Sequence, residues 1–137
     1  MTTISTYSVY EYLKDKFPEL AGVLRNGNMD KNAPKSIGVF LGSDTRSKGN
    51  LAIGGIDCTT VRMLPVNIQI KWSDNQRDHD MKAIEIYDAL LTERSNFESH
   101  DVKFAFIELL DGCPNSLGRD NKNNCESIIR ANFYYYV

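Results

Sequence analysis

The sequence predicts an α+β fold in which one mixed, largely antiparallel β-sheet carries two main helices. Apolar and polar residues alternate strictly over residues 65–72, which is the period of a half-buried strand. Apolar residues then recur at helical spacing over residues 76–91. The coarse order of elements is helix, strand, two or three strands with loops, helix, strand and strand. A chain of 137 residues with this order predicts a single domain spanning residues 1–137.

The N-terminal part predicts a short amphipathic helix followed by a turn and a loop. Ser5, Thr6 and Ser8 are candidate N-caps, and apolar residues continue to Phe17. Pro18 is expected to end this helix or to bend it into a last turn. Residues 25–28 favour a turn because they tolerate positive φ angles. Residues 29–35 are mostly polar and are expected to form a surface loop.

The next segments predict strands joined by a long polar loop. Residues 37–41 read as a short strand, and residues 43–50 contain no apolar side chain. Residues 51–56 include a glycine pair, which indicates a bulge or a tight bend at the edge of a sheet. Residues 57–64 are β-prone and lead into the alternating strand, where Pro65 is expected at a joint or an edge position.

The alternating strand and the helix after it form the predicted centre of the fold. Residues 73–76 read as a capping box. At about 1.5 Å per residue the helix is about 24 Å long, and at about 3.3 Å per residue the strand is about 26 Å long. A helix of this length can cover the apolar strand face made by Val66, Ile68, Ile70 and Trp72. Its predicted buried stripe consists of Met81, Ala83, Ile84, Ile86, Tyr87, Ala89, Leu90 and Leu91.

The C-terminal third predicts two further strands. Residues 102–109 read as a strand with Val102, Phe104 and Phe106 on one face. Residues 111–116 form a turn cluster, and residues 117–120 lead into a polar tip. Residues 126–137 are predicted to be a final strand that is bulky on both faces at its end.

The composition is that of an ordinary soluble globular protein. A net charge of −2 argues against wrapping of nucleic acid or binding to an anionic membrane. No apolar run reaches the length of a membrane span. The first residues lack a basic region followed by an apolar block, so a signal peptide is not expected.

Candidate metal and thiol sites are poorly supported by residue spacing. Cys58, Cys113 and Cys125 are odd in number and form no C-x-x-C pair, which argues against a disulfide framework or a zinc site. His79 lies between Asp78 and Asp80, with Asp74 nearby, and these four residues define the alternative of a small metal- or ligand-binding enzyme domain. Consecutive helical side chains point in different directions, however, so no catalytic residue, metal or cofactor is predicted.

Interaction residues are predicted on loops and on the final strand. The segment around Asp44, Arg46 and Lys48 is long and of mixed charge, which suits contact with a neighbouring subunit. Tyrosines near the C-terminus suit a strand that packs on its own core and on a partner. A stacking platform for single-stranded nucleic acid is the less favoured alternative, because Arg130 is the only basic residue nearby. The predicted interface residues are Asp44, Arg46, Lys48, Arg119, Asp120, Tyr134 and Tyr136.

Several motifs occur in an order that resembles one family over nearly the whole chain. They are Phe17-Pro18-Glu19-Leu20, Gly54-Gly55, the strand Val66-Asn67-Ile68-Gln69-Ile70, the helix segment Ile86-Tyr87-Asp88-Ala89-Leu90, the turn Leu117-Gly118-Arg119-Asp120 and the final Asn132-Phe133-Tyr134-Tyr135. In this order and spacing the chain resembles the small minor capsid or tail terminator proteins of siphophages and prophages.

This resemblance implies an α+β subunit of a homo-hexameric ring. Such a ring caps the growing tail tube and offers a face for joining to the head. The implied partners are the major tail protein and a head-completion or neck protein, with no membrane and no specific nucleic acid. The implied location is the virion tail or neck, and the bacterial host cytoplasm before assembly. A head-completion or neck connector protein is the alternative, and the family brings no catalytic residues.

Overall fold

The computed structural model describes residues 4–30, 32–42 and 60–137. The helices are α1 (Thr6–Lys16) and α2 (Gln76–Leu91), with a 3₁₀ turn at Pro18–Leu20. The strands of the described part are β1 (Leu24–Asn26), β2 (Ser36–Leu41), β3 (Val61–Lys71), β4 (Phe97–Ser99), β5 (Val102–Leu109), β6 (Asn115–Arg119) and β7 (Cys125–Tyr136).

These strands form one mixed sheet, and the predicted α+β class is confirmed. The strand order is β1-β2-β3-β7-β5-β4, and β6 pairs with β7. The β1–β2 pair is parallel and the other pairs are antiparallel. The long strands β3 and β7 lie at the centre, with Ile68 opposite Ile129. Along the other edge of β7, β6 pairs with its first residues and β5 with its last ones.

Both helices pack on the same side of the sheet, which we call the helix-covered face. Its sheet residues alternate along the two central strands and are buried; they are Val66, Ile68 and Ile70 of β3 and Ile129, Ala131 and Phe133 of β7. The residues between them, from Asn67 to Lys71 on β3 and from Ile128 to Tyr134 on β7, form the helix-free face. The period of two in the sequence therefore separates the two faces as predicted.

The core beneath the helices is rich in aromatic rings. Tyr12 of α1 lies 5.0 Å from Phe97, 6.1 Å from Phe104 and 5.9 Å from Phe133, measured between ring centroids. Helix α2 contributes the buried side chains of Ala83, Ile86, Tyr87 and Leu90. Burial of large aromatic side chains at these distances is a major source of stabilisation.

Helix α2 has the predicted bounds but a different cap and a narrower buried stripe. The N–H of Asp78 donates to the side chain of Asn75 (3.2 Å), so Asn75 is the N-cap and the predicted capping box is wrong. Ser73 instead accepts from the N–H of Asn75 (3.0 Å). Three residues of the predicted stripe are exposed, because a two-layer arrangement buries only one side of the helix; they are Met81, Ile84 and Leu91.

Short strands replace several predicted turns and loops. Helix α1 is capped by Ser5, and Pro18 opens the 3₁₀ turn as expected. The predicted turn at residues 25–28 overlaps β1, which pairs with β2 and ends before Gly27 (φ +79°). Strand β4 lies in the segment after α2, and the predicted turn at residues 117–120 is largely β6. In each case pairing with a longer strand overrides local turn preference.

Two residues near the centre of the sheet depart from the simple alternation. A β-bulge between Phe104 and Phe106 puts Phe106 opposite Tyr134 on the helix-free face, so the prediction that Phe106 shares a face with Phe104 is wrong. Pro65 lies within β3, at the point where β2 ends. Its carbonyl accepts from the N–H of Gly42 (2.9 Å), so its missing N–H faces the β2 side and no bond to β7 is lost.

Within the described ranges, neither helix combines the length and the apolar character that crossing a membrane would require.

Candidate functional site

The predicted interface residues fall into three groups in the structure. Asp44, Arg46 and Lys48 lie outside the described residues, as do Gly54, Gly55 and Cys58. Arg119 and Asp120 lie where β6 leads into β7, and Tyr134 and Tyr136 lie at the far end of β7. Nine residues of strand separate Cys125 from Tyr134, which is about 30 Å at about 3.3 Å per residue. The described residues therefore place two separate groups at opposite ends of one strand.

Arg119 ties the β6–β7 turn to the segment that precedes α2. Its guanidinium donates to the carbonyl of Asp74 (2.8 Å) and to the carbonyl of Asn123 (2.8 Å). No sequence pattern predicts this tie, because the two acceptors are backbone atoms far apart in the chain. Arg119 is exposed, so an interface role stays a prediction alongside this structural one.

Asp120 caps the turn between β6 and β7. One carboxylate oxygen accepts from the N–H of Asn124 (2.8 Å) and from the N–H of Lys122 (2.9 Å). The hydrogen bond from the Asn124 backbone, that from Lys122 and the nearby Lys71 ammonium hold the pKa of Asp120 below its usual value. The carboxylate is therefore ionised at neutral pH and holds the turn in shape.

Tyr134 and Tyr136 belong to an aromatic patch on the helix-free face. Tyr134 stacks on Phe106 with ring centroids 4.3 Å apart and an interplanar angle of 15°. Its hydroxyl donates to Glu108 (3.1 Å), and the Tyr136 hydroxyl donates to Asn96. Phe106 is 43% exposed and Tyr136 is 38% exposed. We call Phe106, Tyr134 and Tyr136 the aromatic patch.

Arg130, the basic residue nearest the aromatic patch in sequence, is paired with a carboxylate. Arg130 forms a bidentate pair with Asp111, at 2.8 Å from Nε and 2.7 Å from Nη2. The hydrogen bonds from Arg130 lower the pKa of Asp111, so both groups are charged at neutral pH. An Arg130 guanidinium held in this way is less suited to contact a phosphate, which weakens the nucleic-acid alternative.

The candidate metal and catalytic cluster at the start of α2 does not converge. His79 points into the core and is 1% exposed, whereas Asp78 is exposed and Asp80 accepts from Gln76 (2.7 Å). In residues 4–30, 32–42 and 60–137, no group of three or more His, Cys, Asp or Glu side chains is arranged to hold a metal ion. The three consecutive side chains thus point apart, as helical geometry requires.

His79 instead forms a buried polar pair with Ser127. Its Nε2 lies 2.6 Å from the Ser127 hydroxyl, and its Nδ1 has no hydrogen-bond partner among the described residues. Burial lowers the pKa of His79, so the imidazole is neutral at neutral pH. A catalytic serine and histidine need a third group that orients the imidazole, and residues 4–30, 32–42 and 60–137 place none at Nδ1. The pair therefore serves to attach α2 to β7.

Lys71 is the residue whose position the sequence pattern predicted least well. The alternation puts it on the polar side of β3, where a solvated side chain is expected. In the structure it is 2% exposed, and its ammonium donates to the carbonyl of Asp30 (2.8 Å). It also lies 3.7 Å from the carboxylate of Asp120. A covering loop, which strand periodicity alone does not reveal, accounts for this burial.

Comparison of the chain with protein-family models and with curated proteins found no match.

Proposed function

We propose that the chain is a structural virion protein of a phage or prophage tail, a ring-forming subunit of the tail terminator type. The observation that carries this proposal is that exposed apolar side chains lie on both outer sides of a two-layer subunit. On the helix side, Met81 is 60%, Ile84 47% and Leu91 60% exposed. On the sheet side lies the aromatic patch, with Phe106 at 43%.

Two different surfaces on opposite sides suit a closed ring. In a ring each subunit contacts its neighbours through two distinct surfaces, one of which binds the other on the next copy. We call the exposed residues Met81, Ile84 and Leu91 the α2 stripe. The α2 stripe is aliphatic and the aromatic patch carries tyrosine hydroxyls, so the two surfaces differ in chemistry. Exposed apolar groups of this kind are typical of protein interaction sites. The proposed partner of both surfaces is another copy of this chain.

The positions of the resemblance motifs support the assignment to a tail. Phe17 to Leu20 end α1 and form the 3₁₀ turn, and Ile86 to Leu90 provide the buried residues of α2. Residues 117–120 close the β6–β7 turn, and Phe133 lies in the core. The motifs that lie within the described residues therefore belong to the scaffold of the subunit.

The resemblance supplies the proposed partners and location. The ring would contact the major tail protein on one side and a head-completion or neck protein on the other, in the virion tail or neck. A head-completion or neck connector is the second candidate, because such a protein would use the same two-sided subunit. Immunogold labelling of heads and tails that have not joined separates the two: the label lies on free tails for a terminator and on free heads for a connector.

Light scattering after size-exclusion chromatography tests ring formation. The expected result is a mass that rises with concentration to that of six subunits, with ring-shaped particles in electron micrographs. Ile84→Gln, which makes the α2 stripe polar, is expected to lower this mass. Glu19→Gln, on the exposed 3₁₀ turn, is the control and should leave it unchanged. A monomer at every concentration, also in the presence of tail tubes, would refute the proposal.

A further inference from the structure

A cavity of about 730 Å³ opens on the helix-free face, at the end opposite the aromatic patch. Its floor includes Phe40, Gln69 and Lys71, on β2 and β3. One wall is the segment after β1, and the other is the β6–β7 turn; Lys122 Nζ approaches Asn32 Oδ1 at 3.4 Å between them. This volume lies within the range of cavities that hold ligands, about 300–1,000 Å³.

Both walls are fixed by contacts with the sheet and the turn. A Cβ atom at Gly38 would lie 2.6 Å from both the carbonyl oxygen of Asn28 and the sulfur of Met29, so only glycine lets this wall approach the sheet so closely. The N–H of Asp30 donates to the hydroxyl of the buried Ser36 (3.1 Å). The carboxylate of Asp120 holds the β6–β7 turn, which forms the opposite wall. The cavity is therefore formed before any ligand binds.

Lys71 contributes a buried ammonium group to this cavity, and some of its N–H donors have no acceptor among the described residues. A lysine ammonium has three N–H donors, and among the described residues one of them bonds to the carbonyl of Asp30. The carboxylate of Asp120, at 3.7 Å, is near enough to balance the charge but too far for a hydrogen bond. A buried charged group strongly favours further acceptors, so an oxygen atom of a ligand is well placed to accept from it.

Among the described residues, the charges that line the cavity are balanced, which disfavours a strongly charged ligand. Lys71 and Lys122 are matched by Asp120 and Glu126. A phosphate would face two carboxylates, and an organic cation would face two ammonium groups. A neutral ligand that offers oxygen acceptors avoids both penalties.

The remaining lining groups would complement a peptide segment, because they offer partners for its backbone amides and for an apolar side chain. Four side-chain amides offer a donor and an acceptor each, as a peptide bond does; they belong to Asn28, Asn32, Gln69 and Asn121. Phe40 and Met29 offer apolar surface. We propose that this cavity binds an uncharged polypeptide segment, with a backbone carbonyl accepting from Lys71 and an apolar side chain on Phe40 and Met29. This inference does not depend on the tail assignment.

An NMR titration of the full chain tests the inference directly. The probe is the tripeptide Gly-Leu-Gly, acetylated at its N-terminus and amidated at its C-terminus so that it is neutral. Inorganic phosphate is the comparison. The expected result is saturable shifts of the backbone amides of Gln69, Lys71 and Lys122 with the peptide and none with phosphate. Absence of saturable shifts with the peptide, or saturation by phosphate at the same amides, would overturn the proposal.

Two substitutions test whether the peptide binds in this cavity. One of them lies on an exposed turn, so that loss of binding is not explained by misfolding. Lys71→Met keeps the length of the stem and removes the donors, and it is expected to weaken peptide binding at least tenfold. Asn121→Trp fills the mouth from an exposed turn and should do the same without touching the core. Lys103→Met, on exposed β5 surface, is the control and should bind as the unaltered chain does. Binding that survives both cavity substitutions would contradict the assignment.

Discussion

The two faces of the sheet use the same strands in different ways. Along β3, Val66, Ile68 and Ile70 are buried against the helices, while Asn67 and Gln69 between them are half-buried on the other face. Side chains one position apart thus differ in environment because strand side chains alternate. The helix-covered face holds the apolar core that stabilises the fold. The helix-free face holds amides, ion pairs, tyrosines and the cavity, which are groups suited to recognition.

Two aromatic residues of β5, only two positions apart in the chain, show this difference between the faces. Phe104 is fully buried and lies 5.0 Å from Phe97 and 5.8 Å from Phe133 between ring centroids. Phe106, two residues later, is carried by the bulge to the other face, where it stacks on Tyr134. If stability depends mainly on the helix-covered face, equal truncations at the two positions should have unequal effects.

The largest expected effect is that of Phe104→Ala. Removing a buried ring leaves a cavity among the aromatic side chains and should lower the free energy of unfolding by about 3–5 kcal/mol. Phe106→Ala loses one stacking contact at a half-exposed position and should cost about 1 kcal/mol. Urea unfolding of both variants measures the difference. Equal losses would mean that the helix-free face is also a core.

A pH-dependent effect should come from His79 on the helix-covered face. Burial lowers its pKa below the ordinary value of 6.5, while Asp80 and Arg119 act on it in opposite directions. The unfolded chain therefore takes up the proton more readily, so stability is full above about pH 6.5 and falls as the pH drops below it. The slope from this one proton is at most about 1.4 kcal/mol per pH unit.

The variant His79→Gln isolates this contribution, because glutamine can still hydrogen-bond to Ser127 and does not titrate. Unfolding free energies measured from pH 7.5 down to about pH 5 should fall less steeply for the variant than for the unaltered chain. A parallel fall in both proteins would show that other groups cause it.

A smaller effect is expected at Arg119, which joins the end of the sheet to the start of α2. Arg119→Ala removes two hydrogen bonds from a charged donor at an exposed position and should cost about 1 kcal/mol. Arg77→Ala, an exposed position on α2, is the matched control and should stay within about 0.5 kcal/mol. Thermal unfolding compares them, and indistinguishable values would remove the structural role of the Arg119 tie.

The smallest effect on the isolated subunit is expected on the outer side of α2. Ile84→Gln changes a 47% exposed side chain and should alter the free energy of unfolding by no more than about 0.5 kcal/mol. Urea unfolding at low protein concentration measures it. A loss of several kcal/mol would mean that Ile84 belongs to the subunit core and is not a contact surface.

The long, regular elements were the ones that the sequence could predict. Helix α2 has the predicted bounds, and β3, β5 and β7 lie where alternation or β-prone residues indicated. Strands β1 and β4 have three residues each, too few for any periodicity to appear. Strand β6 includes Gly118 (φ +89°) and resembles a turn in sequence, yet pairing with β7 makes it a strand.

The proposed interaction surfaces were predictable only in part. Tyr136 is exposed, and its contact with a partner stays a prediction; the sequence could not reveal the bulge that adds Phe106 to the same patch. A helix pattern shows which residues are apolar but not how wide a stripe the sheet will cover, so the pattern alone predicts burial of Met81, Ile84 and Leu91. The cavity depends on contacts between Asp30, Lys71 and Asp120, which are distant in the chain.

Electron microscopy of particles made without this protein tests whether it caps the tail tube. In a phage or prophage whose copy of this gene is interrupted, an assembling tail tube would lack the ring that caps it. We predict tails of irregular length that are not joined to heads, and restoration of uniform, joined tails when the protein is supplied from a plasmid. Tails of normal length joined to heads in the absence of the protein would contradict the account.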